Sequence, residues 1–151
     1  MKTGYLVCDA MTQRPISVEH DLAIVECAKV MADNHVGTLI VKKNNRLAGL
    51  LSEKDIVRKV IAEGLDPAKI LAGEMMETKF AKVSPEQDIY DAIKIMRDNN
   101  VRHVPVMDGK KMVGFLTGKD ILKIQPQLFE VLADKIELRE WERKVSAIKE
   151  D

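Results

Sequence analysis

Two short stretches place a glycine, a hydroxyl, a lysine and a carboxylate at identical spacing: Gly49, Ser52, Lys54 and Asp55, then Gly114, Thr117, Lys119 and Asp120. Each follows a β-rich apolar run and opens a helical period, which puts hydroxyl and carboxylate at a helix N-terminus. Such a terminus attracts phosphate oxygens through free N–H groups and its dipole. A nearby carboxylate can accept bonds from two ribose hydroxyls. A nucleotide needs both features, and Lys54 and Lys119 would add positive charge. Ser or Thr followed three residues later by an acid is equally the spacing of a capping box, in which the hydroxyl satisfies one free N–H. These residues are therefore suited to nucleotide binding or to helix capping.

Other chemistries find less support. The stretch from Gly114 to Asp120 has three residues between its glycines and Asp120 after the lysine. A Walker A loop needs four, then Ser or Thr to hold magnesium. Gly-x-Ser-x-Gly, His-Glu-x-x-His and Gly-x-Gly-x-x-Gly are absent from the sequence, and catalysis is not expected. His20, His35 and His103 are too scattered to form a metal site. Cys8 and Cys27 lie outside any C-x-x-C and read as buried thiols.

The elements that must position these residues occur twice. Sliding the sequence by 65 residues aligns Met11 through Val57 with Met76 through Leu122 without a gap, and 14 of the 47 pairs are identical. Chance would give roughly three. Each copy reads as strand, helix, strand, strand, helix. Short strands are expected at Ile16–Val18 and Ala81–Val83. In the second copy Ser84, Pro85 and Gln87 have the order of an N-cap, a first helical position and a capping-box partner. Hairpins are expected at Asn44-Asn45 and Asp108-Gly109. The returning strands Leu47–Leu51 and Met112–Leu116 are apolar throughout, as central strands would be. A unit of about 50 residues buries too little surface to stand alone, so the copies are expected to pack sheet to sheet in an α+β fold. The boundaries are 7–64 and 76–124, with a linker over 65–75. The segment 126–149 reads as one long helix carrying Val131, Leu138, Trp141, Val145 and Ile148 at heptad-like steps.

The duplicated β-α-β-β-α unit with Gly-x-x-Ser/Thr-x-x-Asp resembles a tandem pair of CBS (cystathionine beta-synthase) domains, a Bateman module, over roughly residues 7 to 124. The second copy carries the fuller pattern, Val101-Arg102-His103-Val104-Pro105-Val106 before the hairpin and Gly114-Phe115-Leu116-Thr117-Gly118-Lys119-Asp120 after it. The resemblance implies an adenosine ligand (AMP, ADP, ATP, NAD or S-adenosylmethionine) in the cleft between the copies, with Asp55 and Asp120 holding the ribose. It places Ser52 and Thr117 by the phosphates or ribose. Arg102 and His103 would face the phosphates, and Pro15-Ile16 and Phe80-Ala81 would line the adenine. Gly37-Thr38 replaces Arg102-His103 in the first copy, and Ile40 replaces Pro105. The site around Asp120 is therefore expected to bind more tightly, or the two sites to prefer different ligands. A homodimer and a regulated partner protein are further implications.

Composition agrees with such a module. With 24 basic and 24 acidic residues the formal charge is zero, so nothing draws the chain to nucleic acid or an anionic membrane. At 46% hydrophobic and 32% charged it can fill a core and solvate a surface. No apolar run approaches the ~20 residues of a membrane span, and the first residues lack a secretory pattern; a cytoplasmic protein is expected. The competing reading is an interaction or assembly module with no physiological nucleotide.

Overall fold

The computed structural model describes residues 2–127; from residue 128 on, the helix expected over 126–149 lies outside them. The chain runs through α1 (Val7–Ala10), β1 (Ser17–Glu19), α2 (Ile24–Asn34), β2 (Thr38–Lys43), β3 (Arg46–Ser52) and α3 (Glu53–Asp55). A π-helical stretch (Ile56–Ile61) continues α3. It is followed by α4 (Ala72–Met75), α5 (Ile89–Asp98), β4 (His103–Asp108), β5 (Lys111–Thr117) and α6 (Gly118–Ile124). These form a mixed α+β fold with two small sheets.

The described residues divide into two compact units. The first spans residues 14–80; the second joins residues 2–13 to the chain from residue 81 on. In the first, β1 pairs parallel with β2, and β2 pairs antiparallel with β3. Thus β2 is central, not the returning strand β3, whose outer edge carries a single bridge, Leu50 to Glu77. The amphipathic α2 turns Ile24, Cys27 and Met31 inward onto Leu39, Val41, Leu51, Val60 and Ala72. In the second unit α5 presents Ile89, Ala92, Ile93 and Met96 to Val104, Val106, Leu116, Ile121 and Val7.

Val7 and Ala72 stand 65 residues apart, and both are fully buried. The segment leading the first repeat packs in the second unit, where Thr12 pairs with Phe115. The segment leading the second repeat packs in the first unit, where Glu77 pairs with Leu50. The motif glycines make room for them. A Cβ on Gly49 would come within 2.6 Å of Met76 Sδ and 2.8 Å of the Glu77 carbonyl. One on Gly114 would collide with Met11 Sδ and lie 3.1 Å from the Thr12 carbonyl. Close approach of another backbone is a standard use of glycine in a strand.

Several local expectations are corrected. The strand expected at Ala81–Val83 shrinks to one bridge, Val83 to Val106. The cause is visible in the other copy, where the Ile40 N–H donates to the Ile16 carbonyl at 3.1 Å. Pro105 stands at the equivalent position and has no N–H to offer the Ala81 carbonyl. Helix α5 starts at Ile89, not beside Ser84, because the Pro85 and Gln87 carbonyls accept from Cys8 N–H and Val7 N–H. Its cap is Asp88, whose side chain accepts from Tyr90 N–H. The second hairpin turns at Gly109-Lys110, since Asp108 is still paired with Lys111. Gly109 takes φ +61°, while Asn44 and Asn45 are both left-handed in the first hairpin. Cys27 is buried as expected, and burial pushes its thiol up to about 11. Cys8, on the outer side of the short α1, is exposed.

Candidate functional site

Strand β5 ends at Thr117, and the capping box forms around it. Thr117 Oγ1 accepts from the Asp120 N–H at 3.3 Å, and Asp120 Oδ2 accepts from the Thr117 N–H at 2.9 Å. One carboxylate oxygen is thus committed to the cap. The Thr12 hydroxyl approaches the same carboxylate at 3.4 and 3.5 Å, held there by reciprocal 2.8 Å backbone bonds between Thr12 and Phe115. Across the β4–β5 ladder His103 lies opposite Thr117, and its ring sits 5.6 Å from that of Phe115, tilted by 33°. The Arg102 carbonyl accepts the Gly118 N–H at 2.8 Å. Arg102 and Lys119 are exposed, Asp120 and His103 are half-buried, and Gly118 and Pro105 are buried. Asp120, Thr117, Gly118, His103 and Arg102 are thus neighbours along β4, β5 and the start of α6. Ala81 belongs to the same unit, and Phe80 is the last residue of the other.

The first unit builds the same frame with different occupants. Ser52 Oγ accepts from the Asp55 N–H at 3.2 Å, and Asp55 Oδ2 accepts from the Ser52 N–H at 2.9 Å and the Ser52 hydroxyl at 3.1 Å. Thr38 lies opposite Ser52, and the Gly37 carbonyl accepts the Glu53 N–H at 3.0 Å. The other oxygen, Asp55 Oδ1, is 3.0 Å from Lys59 Nζ. That ammonium also donates to the Met75 carbonyl at 3.2 Å and lies 3.9 Å from Glu77 Oε2. Lys54 points to solvent. Pro15 and Ile16 precede β1, and the Ile16 carbonyl is the one taken by Ile40.

The capping box anticipated from the spacing is therefore present in both units, and it consumes part of what a phosphate would use. In the second unit the Gly118 and Asp120 amides are engaged; in the first, those of Glu53 and Asp55. The carboxylate oxygen that does not cap is taken by Lys59 in the first unit and, among the described residues, meets the Thr12 hydroxyl in the second. Thr12 and Lys59 were not singled out by motif reading. The signal was available in the 65-residue register, where Thr12 faces Glu77 and Lys59 faces Ile124. Among the described residues no three His, Cys, Asp or Glu gather as a metal site requires. No helix there is long and apolar enough to cross a membrane.

Comparison with known proteins matches this arrangement. The family model for the CBS domain matches twice, over residues 7–62 and 72–126. The mitochondrial CBS domain-containing protein CBSX3 of Arabidopsis thaliana is 33% identical over 108 residues, covering 68% of this chain and 52% of that protein. The chain spans little more than half the length of two of its curated relatives, this one included (52% and 58%). Hypoxic response protein 1 of Mycobacterium tuberculosis is 34% identical over 110 residues, covering 72% of this chain and 76% of the relative. A crystal structure of Hypoxic Response Protein I with two coordinated zinc ions is similar at TM-score 0.72 and 30% identity, covering 81% of this chain and all of that one. The hexameric CBS-CP12 protein from bloom-forming cyanobacteria is similar at TM-score 0.70 and 27% identity, covering 99% and 90% of the two chains.

Proposed function

Because the chain belongs to the CBS-domain family, with two such domains in tandem, we propose that it is a non-catalytic regulatory protein that binds an adenosine-containing ligand. The ligand class is AMP, ADP, ATP, NAD or S-adenosylmethionine, and its level is passed to a partner protein. The observation that carries this reading is the Asp120 carboxylate. One of its oxygens caps α6, and the other meets nothing stronger than the Thr12 hydroxyl among the described residues. A half-buried carboxylate oxygen so placed can accept from a ribose diol. His103, which opens the strand that pairs with β5, and Arg102 just before it supply the positive side for phosphates. Regulation then needs only that the ligand favour one conformation of the protein, which a partner can read.

The test is a thermal melt with each of the five compounds at millimolar concentration, repeated on Asp120→Asn. The asparagine oxygen can still accept from the Thr117 N–H, so the cap survives while the charge is lost. At least one compound is expected to raise the melting temperature of the natural protein, and the variant to lose most of that rise. Failure of all five would remove the reading in favour of an interaction and assembly module. That alternative draws its support from the hexameric CBS-CP12 neighbour; a homodimer is the simplest assembly for the regulatory reading.

A further inference from the structure

The two copies of the motif differ most at groups their own chain has already satisfied. In the first unit Lys59 Nζ sits 3.0 Å from Asp55 Oδ1, the oxygen left over from the cap, and is itself held by the Met75 carbonyl and the neighbouring Glu77. The ammonium thus stands where ribose hydroxyls would have to donate. The Ile16 carbonyl, a backbone acceptor on the segment expected to read a base edge, is also spent, on the Ile40 N–H at 3.1 Å. In the second unit Ile124 replaces Lys59, Thr12 replaces Glu77 and Pro105 replaces Ile40. No cation lies within ion-pair distance of Asp120 among the described residues, and Pro105 cannot donate to the Ala81 carbonyl.

We infer that Lys59 is a built-in occupant of the first site, so that each chain takes one nucleoside ligand, at Asp120. This rests on the nucleoside-binding reading above and adds the reason why a duplicated motif yields a single site. Displacing Lys59 would leave Asp55 and Glu77 as neighbouring carboxylates without their cation, an unfavourable exchange for a phosphate-bearing ligand. The lock is a pair, Lys59 with Glu77, and opening it requires changing both.

Calorimetric titration with AMP, ATP, NAD and S-adenosylmethionine in turn tests this on the full chain. The natural protein is expected to bind one molecule per chain, with affinity falling at least about tenfold in Asp120→Asn. The double variant Lys59→Ile, Glu77→Thr, which copies the residues of the second unit, is expected to bind two. The added site should vanish when Asp55→Asn is included. The reciprocal variant Thr12→Glu, Ile124→Lys is expected to lose binding while keeping a cooperative melt. Should Ile124→Lys fail to fold, Thr12→Glu alone is expected to weaken binding. Two molecules bound by the natural protein, or one by the opened variant with its fold intact, would overturn the lock and leave nucleoside binding standing. No binding by the natural protein to any of the four would remove both.

Discussion

In the first unit the Asp55 carboxylate is enclosed by its own chain, with Ser52 on one oxygen and Lys59 on the other. In the second, Asp120 keeps the cap through Thr117, but across from it, among the described residues, stands only the Thr12 hydroxyl. The strands feeding the two sites differ in the same sense. The first unit completes a three-stranded sheet, whereas among the described residues the second has two strands and a bridge, Pro105 lacking the donor that Ile40 supplies. Among the described residues Asp55 Oδ1 has a cation for partner and Asp120 Oδ1 a hydroxyl. Three exchanges in the repeat register, Lys59 for Ile124, Glu77 for Thr12 and Ile40 for Pro105, account for these differences.

The largest expected effect on stability concerns how each unit holds its leading segment. Asp88, buried at 8% exposure, accepts from Tyr90 N–H, Thr3 N–H, Gly4 N–H and the Thr3 hydroxyl, whereas its counterpart Ala23 holds nothing by its side chain. Asp88→Ala should cost about 2–4 kcal/mol, the sum of a lost cap and unsatisfied donors. In hydrogen exchange it should expose residues 3–12 while leaving 72–77 protected; equal loosening of both segments would erase the contrast. Burial alone would raise the Asp88 pKa, but these hydrogen bonds hold it below the usual carboxylate range. Its stabilisation is present above the unfolded value of about 3.9. It is lost only as pH falls through the lower folded value. Acid melts of Asp88→Asn should lack that component.

Next come the glycines. Gly49→Ala meets the Glu77 carbonyl at 2.8 Å, whereas Gly114→Ala meets the Thr12 carbonyl at 3.1 Å, each beside a flexible methionine. Both should destabilise by about 1–3 kcal/mol, Gly49→Ala the more, in denaturant titrations. Pro105→Ile restores the missing N–H and should add about 0.5–1.5 kcal/mol by extending the parallel pairing to Ala81, with slower exchange at the new amide. If Ala81 serves the base as Ile16 cannot, the same change weakens AMP binding. Lys59→Met should be the mildest, under about 1 kcal/mol, since the lysine side chain is 41% exposed and the pair is screened.

The repeat register, the hairpins to within one residue and the capping boxes at Asp55 and Asp120 were legible because they are local: apolar period, turn residues and a capping spacing. The exchange of leading segments was not. With an ungapped repeat, Met11 fits against Gly114 or Gly49 equally well by pattern, and only the geometry of the connections decides. The start of α5 misled for a related reason. Ser84, Pro85 and Gln87 form a sound local signal, yet the Pro85 and Gln87 carbonyls are claimed by amides about 80 residues upstream. Lys59 was hidden because a lysine near a helix end is ordinarily solvated, and its role depends on Met75 and Glu77 arriving from beyond the linker.

The exchanged segments also set an order of assembly. Residues 14–80 contain both their leading segment and the core it packs on, but Val7 and its neighbours, translated earlier, lack a complete seat until α5 and β5 have followed. At ~5–20 residues per second a nascent chain carries that valine in water for roughly 5–22 s. A stretch translated ahead of both cores is then stitched in only after β5, a delay during which ribosome-bound chaperones have their opening.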